Sequence, residues 1–234
     1  VPFYILLGNH DYSRGRQDRF ELEYAKKNPQ SRWKMPARWY RLELPSADDP
    51  LVTVLMLDGN YLFLSKDEWR EQAEWMAAEL EKPRTARWLV MCAHQPLYTN
   101  GGRGDDDRLL REWGPLLEPN GVDFYLSAHD HNLQHVQIPG VATTFVISGG
   151  GGANLHDIIR TDRGPFAAEM HRFAHLRFGE RSADVHLLDA GGRPVHAFTT
   201  TPLRPRNVAA AATATPTTTS KPAPVPAGAP ERVR

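Results

Sequence analysis

Three times along the chain a short apolar run stops abruptly in a polar cluster that contains histidine: FYILLGNHD at 3–11, RWLVMCAHQP at 87–96 and VDFYLSAHDH at 122–131. Apolar runs of this length that end in turn-forming residues predict buried strands feeding loops. Between the first two, the pattern predicts a helix over 18–28 and strands over 39–44 and 52–57. The helix expected over 65–81 carries its own start signal, because Ser65 and Glu68 have capping-box spacing, and Pro83 stands just past its end. Trp69, Ala73, Met76 and Leu80 recur at helical spacing and predict a core-facing stripe. A third helix is expected over 106–117, with Asp105, Asp106 and Asp107 as its solvated start, followed by a strand over 122–127. From residue 144 onward TTFVIS, HRFAHLRF, ADVHLLD and PVHAFTT read as further strands between Gly-rich or charged turns.

Alternating strands and helices followed by strand-rich sequence predict a layered α/β domain finished by antiparallel strands. The domain is expected over 1–204. Residues 205–234 shift to Ala, Thr and Pro without apolar periodicity, and predict a disordered tail. A hydrophobic content of 41% can fill a sizeable core. The 28 Lys and Arg balance 28 Asp and Glu, so overall charge predicts no nucleic-acid-binding surface and no membrane partner. No apolar run approaches the ~18 residues of a membrane span. The single cysteine, Cys92, excludes an internal disulfide framework and reads as strand packing.

Chemistry must therefore come from a local site. Carboxyl ends of neighbouring strands in α/β sheets open into a common crevice, so Asn9, His94 and His129 can meet although far apart in sequence. His129 and His131, two positions apart, share one side of extended backbone, which suits two adjacent metal ions. Imidazole is the commonest ligand for zinc, iron and related ions, and an amide oxygen such as that of Asn9 tolerates them. Two such ions lower the pKa of water and clamp both oxygens of an in-line displacement. His10 is left to stabilise phosphoryl charge or to protonate a leaving group, with Asp11 beside it to orient the ring. Asp58 reads as the start of a D-G-N turn, SGGGGAN at 148–154 as a tight loop, and His135, His156, His171, His175, His186 and His196 as surface or core residues.

Taken together, GNHDY at 8–12, AHQPLYTNGG at 93–102 and NGVDFYLSAHDHNLQH at 120–135 resemble the calcineurin-like metallophosphoesterases. The last stretch most resembles the purple, or tartrate-resistant, acid phosphatases. The resemblance implies a four-layered αββα sandwich, with Asn9, His94 and His129 as ligands of one metal ion, His131 as a ligand of the other and His10 as the catalytic, phosphate-facing histidine. The implied cofactors are two divalent or trivalent ions, iron with iron, zinc or manganese. The implied reaction is hydrolysis of a small phosphomonoester by metal-activated hydroxide. The alternatives are a phosphodiesterase acting on nucleotides or lipid head groups, and a non-catalytic binding protein. Oligomeric state stays open.

Three departures accompany the resemblance. An aspartate on the family's first strand and a GDxxY-like motif have no counterpart before GNHD, so the domain is expected to be truncated at its N-terminus, lacking its first strand or strands, with FYILL an internal sheet strand. The four retained ligands are all neutral, so this chain alone is expected neither to hold a dinuclear centre nor to be active. Ala128 replaces a common glycine, and Arg103 stands where acid phosphatases often carry a leaving-group histidine. The Thr/Pro-rich tail and the family's frequent export point to the periplasm or the exterior.

Overall fold

Single-residue alternation in the central strands sorts side chains into two hydrophobic layers. The computed structural model describes residues 1–12 and 17–204. In β4 (Val52–Met56), Val52, Val54 and Met56 face one core, while Leu55, with Leu57 just beyond, faces the other. The same division runs through β5 (Trp88–Cys92) and β6 (Phe124–Ser127), where Trp88, Val90 and Phe124 oppose Leu89, Met91 and Tyr125. These strands are buried on both faces, which is why they read as continuous apolar runs.

They belong to a seven-stranded mixed sheet. Its other members are β3 (Tyr40–Leu44), β7 (Leu133–Val136), β8 (Thr144–Ser148) and β9 (Phe166–Ala168), and the order is β3-β4-β5-β6-β8-β7-β9. Strands β4, β5, β6 and β8 are parallel, and β3, β7 and β9 pair antiparallel to their neighbours. One face is covered by helices: α2 (Lys66–Glu81) with Trp69 and Met76, α3 (Asp107–Glu112) with Leu109, and α4 (Gly114–Asn120) with Leu117. Helix α1 (Asp18–Lys27) packs Leu22 and Ala25 against that same core. The other face meets a three-stranded antiparallel sheet of β10 (Arg172–Phe178), β11 (Ala183–Asp189) and β12 (Pro194–Thr200), whose inward Ala183, Val185 and Leu187 are fully buried. The α/β class and the sheet-on-sheet stacking are as the sequence predicts. The described residues form helix, sheet and sheet, and no described helix covers the outer face of the three-stranded sheet.

Several local expectations shift. The capping box forms as predicted, with Ser65 accepting from the Glu68 N–H and the Glu68 carboxylate accepting from the Ser65 N–H. The buried stripe of α2, however, runs through Trp69, Gln72, Met76 and Glu79, leaving Ala73 exposed. Gln72 is drawn inward because its amide acts like a strand partner for Asp58, accepting from the Asp58 N–H at 2.7 Å and donating to its carbonyl at 2.9 Å. The third helix splits into α3 and α4 around Trp113, where Gly114 and Pro115 begin a new first turn. Asp106 caps α3 through the Arg108 and Leu109 N–H groups, as the acidic start predicts.

The opening run is not a strand of the large sheet. Only Phe3–Tyr4 (β1) form a ladder, in parallel with Trp33–Lys34 (β2), and Phe3 is exposed. The next three residues still alternate, with Ile5 and Leu7 joining the helix-side core and Leu6 the sheet-side core. This extended chain is held by the Ile5 N–H donating to the Lys34 carbonyl at 3.0 Å and by side chains, including the Tyr40 hydroxyl donating to the Ile5 carbonyl at 2.6 Å. The tail expected over 205–234 lies outside the described residues.

Candidate metal centre

Each of the three histidine-bearing clusters leaves the fold at the same edge. Asn9 lies in a 3₁₀ turn (Asn9–Tyr12) directly after the extended opening segment. His94 follows β5 by two residues and His129 follows β6 by two, which places both at carboxyl ends of adjacent parallel strands. The two loops are tied together by the Ala93 N–H donating to the Leu126 carbonyl at 3.1 Å and the Ala128 N–H to the His94 carbonyl at 3.0 Å.

A buried polar scaffold aligns the first loop with the second. Asn60 donates through Nδ2 to the Leu7 carbonyl at 2.9 Å, and its Oδ1 accepts from Gln95 Nε2 at 2.6 Å. The D-G-N turn at 58–60 thus bridges the run before Asn9 and the residue after His94. Asp58 is fully buried, takes the Asn60 N–H and side-chain amide, and accepts a short hydrogen bond from the Tyr12 hydroxyl. Burial pushes the Asp58 carboxyl upward, against the lowering influence of these donors. Asp58 is a turn and anchoring residue, as its sequence context predicts, and a Cβ at Gly59 would displace the Gln95 side-chain amide.

The three clusters converge. Asn9 Oδ1 lies 2.9 Å from His94 Nε2, which is 3.2 Å from His129 Nδ1, and the two imidazoles meet nearly edge to face with centroids 5.0 Å apart. Donors bound to one zinc-like ion at about 2.0–2.1 Å in tetrahedral geometry sit about 3.3 Å apart, close to these separations. Gly8 makes room, since a Cβ there would stand 3.0–3.2 Å from three atoms of the His94 ring. His94 is pushed down to about 4, by burial first and then by the charges of His129, His131, His10 and Arg103. That ring is neutral at physiological pH and presents a lone pair. His129 is lowered by burial and then by Arg103. It also adopts a left-handed backbone (φ 56°), an uncommon conformation for a non-glycine residue that is found at functional sites.

His131 and His10 sit differently. The His131 Nδ1 is 2.7 Å from the Asn154 carbonyl, and its ring stacks on His156 with centroids 4.0 Å apart. His10 is exposed beside Asn9. The Asp11 carboxylate accepts the Gly8 N–H at 2.7 Å and shares a hydrogen bond with Glu21, which burial and then Asp11 raise to about 7. Asp130, between the two histidines, is fully buried. Its Oδ2 accepts from Thr99 Oγ1 at 2.5 Å, while Oδ1 has no hydrogen-bond partner and faces Arg103 Nε at 3.7 Å. The glycine run is structural at Gly149, where a Cβ would overlap the Asp130 carbonyl oxygen.

Among the described residues no group of three or more His, Cys, Asp or Glu is arranged to hold a metal, so the three-donor cluster depends on the Asn9 amide. The sequence reading missed His156, because nothing in LHD at 155–157 marks it. Its role comes from the return of the 149–157 loop across the HDH turn.

The sequence profile of the calcineurin-like phosphoesterases matches residues 1–133, and the chain belongs to that family. Its similar relatives are acid phosphatases. Tartrate-resistant acid phosphatase type 5 of Rattus norvegicus is 27% identical over 229 residues, covering 88% of this chain and 68% of the relative. Purple acid phosphatase 17 of Arabidopsis thaliana is 28% identical over 221 residues, covering 85% of this chain and 63% of the relative. The chain thus spans about two thirds of the length of these proteins. The solved structure of GAP50, described as the anchor in the inner membrane complex of Plasmodium, shares the fold with a TM-score of 0.75 at 18% identity, covering 88% of this chain and 68% of that one. No described helix is long and apolar enough to cross a membrane.

Proposed function

We propose that this chain contributes to a two-metal site for phosphomonoester hydrolysis, with Asn9, His94 and His129 holding one ion and His131 belonging to the other. The observation that carries this reading is the convergence of Asn9 Oδ1, His94 Nε2 and His129 Nδ1 from three separate loops. Iron, zinc or manganese bound there would lower the pKa of water and withdraw charge from phosphoryl oxygens. The chain's own residues do the rest. His94 and His129 are neutral and need shed no net charge to bind. In the metal-free site the Asn9 amide oxygen, which only accepts, favours the His94 proton on Nε2, so binding there takes the other tautomer. His10, exposed on the 3₁₀ turn beside Asn9, is assigned by the family resemblance to donate to the phosphoryl group or its leaving oxygen. Arg103 at the rim attracts the phosphate dianion, and a guanidinium binds phosphate oxygens rather than serving as a general acid.

A second ion needs more negative charge than these donors provide. Asp130 is the carboxylate nearest the pair, and it is turned toward Thr99 and Arg103. The chain by itself therefore holds a single ion weakly, and elemental analysis after dialysis against zinc should find no more than one per chain. The activity test compares p-nitrophenyl phosphate with bis(p-nitrophenyl) phosphate on the metal-loaded protein. Preferential monoester turnover that disappears in the H94A variant supports the proposal. Preference for the diester assigns the site to phosphodiesters, and metal binding without turnover of either assigns the chain a non-catalytic role.

A further inference from the structure

His156 contacts His131 through both backbone and ring. Its Nδ1 accepts the His131 N–H at 3.1 Å, its own N–H donates to the His131 carbonyl at 3.1 Å, and the two imidazoles stack at 4.0 Å with planes 17° apart. Two residues earlier, the Asn154 carbonyl meets His131 Nδ1 at 2.7 Å. A carbonyl can only accept, so this contact puts a proton on His131 Nδ1, and in the neutral ring the lone pair is then on Nε2. Asn132 Nδ2 reaches the His156 carbonyl at 3.4 Å, and Arg103 lies 3.4 and 3.5 Å from the two His156 ring nitrogens. His156 is thus packed between the HDH turn and the arginine at the rim.

We propose that His156 is a positioning residue for His131, fixing that imidazole in the Nδ1–H tautomer by pinning the 154–156 segment against it. Partners that set a ligand's tautomer and ring orientation commonly matter about 10- to 100-fold in metal affinity. The inference rests on the reading of His131 as a metal donor, but its first consequence is visible without metal or turnover. Arg103 touches the His156 ring but not the Asn154 carbonyl that meets His131 Nδ1, so it lies outside the contact that fixes the tautomer.

The test is long-range ¹H–¹⁵N correlation spectroscopy of the imidazoles in the metal-free 234-residue chain. The expected wild-type result is His131 protonated at Nδ1, with nuclear Overhauser contacts to the His156 ring. A wild-type His131 protonated at Nε2, or without contact to His156, overturns the proposal without any variant. In H156A the His131 signals should become those of a tautomer mixture while the melting midpoint stays within a few degrees of wild type. In R103A they should not change. An H156A chain that keeps the pure Nδ1–H state overturns the proposal. Should H156A fail to fold, H156N decides, because its side chain can still accept the His131 N–H and should retain the Nδ1–H state; a folded H156N with His131 protonated at Nε2 overturns it. Absence of phosphatase activity in the metal-loaded protein would refute the functional reading and leave these spectra as they are, so the two failures are separable.

Discussion

Replacing Asn60 by alanine tests whether the buried amide bridge is what aligns the Asn9 loop with the His94 loop. Its Nδ2 donates to the Leu7 carbonyl, and its Oδ1 receives Gln95 Nε2, all at fully or nearly fully buried positions. Truncation leaves two buried polar groups without partners, while Asp58 keeps the Asn60 backbone N–H at 3.0 Å. Each orphaned group costs about 1–3 kcal/mol, so the combined loss of the two is about 2–6 kcal/mol, a large share of the roughly 5–15 kcal/mol that holds a domain folded. Urea unfolding of the metal-free chain should show the midpoint falling without a change in slope. Asn60→Asp should be at least as damaging at neutral pH. It keeps an acceptor for Gln95, loses the donor to Leu7, and sets a second carboxylate beside buried Asp58. A loss below about 1 kcal/mol in Asn60→Ala would show that the loops are aligned by something other than this bridge.

Gly8→Ala should separate the site from the fold. The added Cβ forces the His94 ring to give way by a few tenths of an ångström, so calorimetry should find zinc affinity about tenfold lower, with urea stability within about 0.5–1 kcal/mol of wild type. His135 is held down to about 4 by burial, then by His196, whose Nε2 lies 3.0 Å from its Nδ1. Because the folded pKa lies below the unfolded value, the unfolded chain binds the extra proton. Stability is therefore complete above about pH 6.5 and falls as pH drops toward 4, by on the order of 3 kcal/mol. Denaturant melts across that window should show the slope in wild type and a shallower one in His135→Phe. Ser65→Ala removes the acceptor of the Glu68 N–H and should cost about 0.5–2 kcal/mol in the same assay.

The sequence carries those parts of the site that local pattern determines. A buried parallel strand must be apolar on both faces, so β5 and β6 announce themselves, and the histidines just beyond their ends inherit a predictable place. The Ser65 and Glu68 spacing states a helix start with equal clarity. What escapes is anything fixed by long-range pairing. Gln72 sits on the buried side of α2 only because the Asp58 backbone is there to meet it, and propensity alone favours Ala73. The apolar run at 3–7 looks like a sheet strand because side-chain alternation is the same whether or not a neighbour supplies a ladder. His156 is the clearest case. Its neighbours in sequence carry no signal, and its contact with His131 exists because the glycine-rich loop returns across the HDH turn. The weak strand β7 was hidden for a similar reason, since Gln134 spends its amide on Thr99, Asn132 and the Asn100 N–H inside the fold.

The most direct measurement is a crystal structure of the zinc-soaked chain, read by its anomalous difference map at the zinc edge. One principal peak is predicted, about 2.0–2.2 Å from His94 Nε2, His129 Nδ1 and Asn9 Oδ1, and it should vanish in the H94A variant. A peak bound elsewhere, with those three atoms left unliganded, would contradict the account.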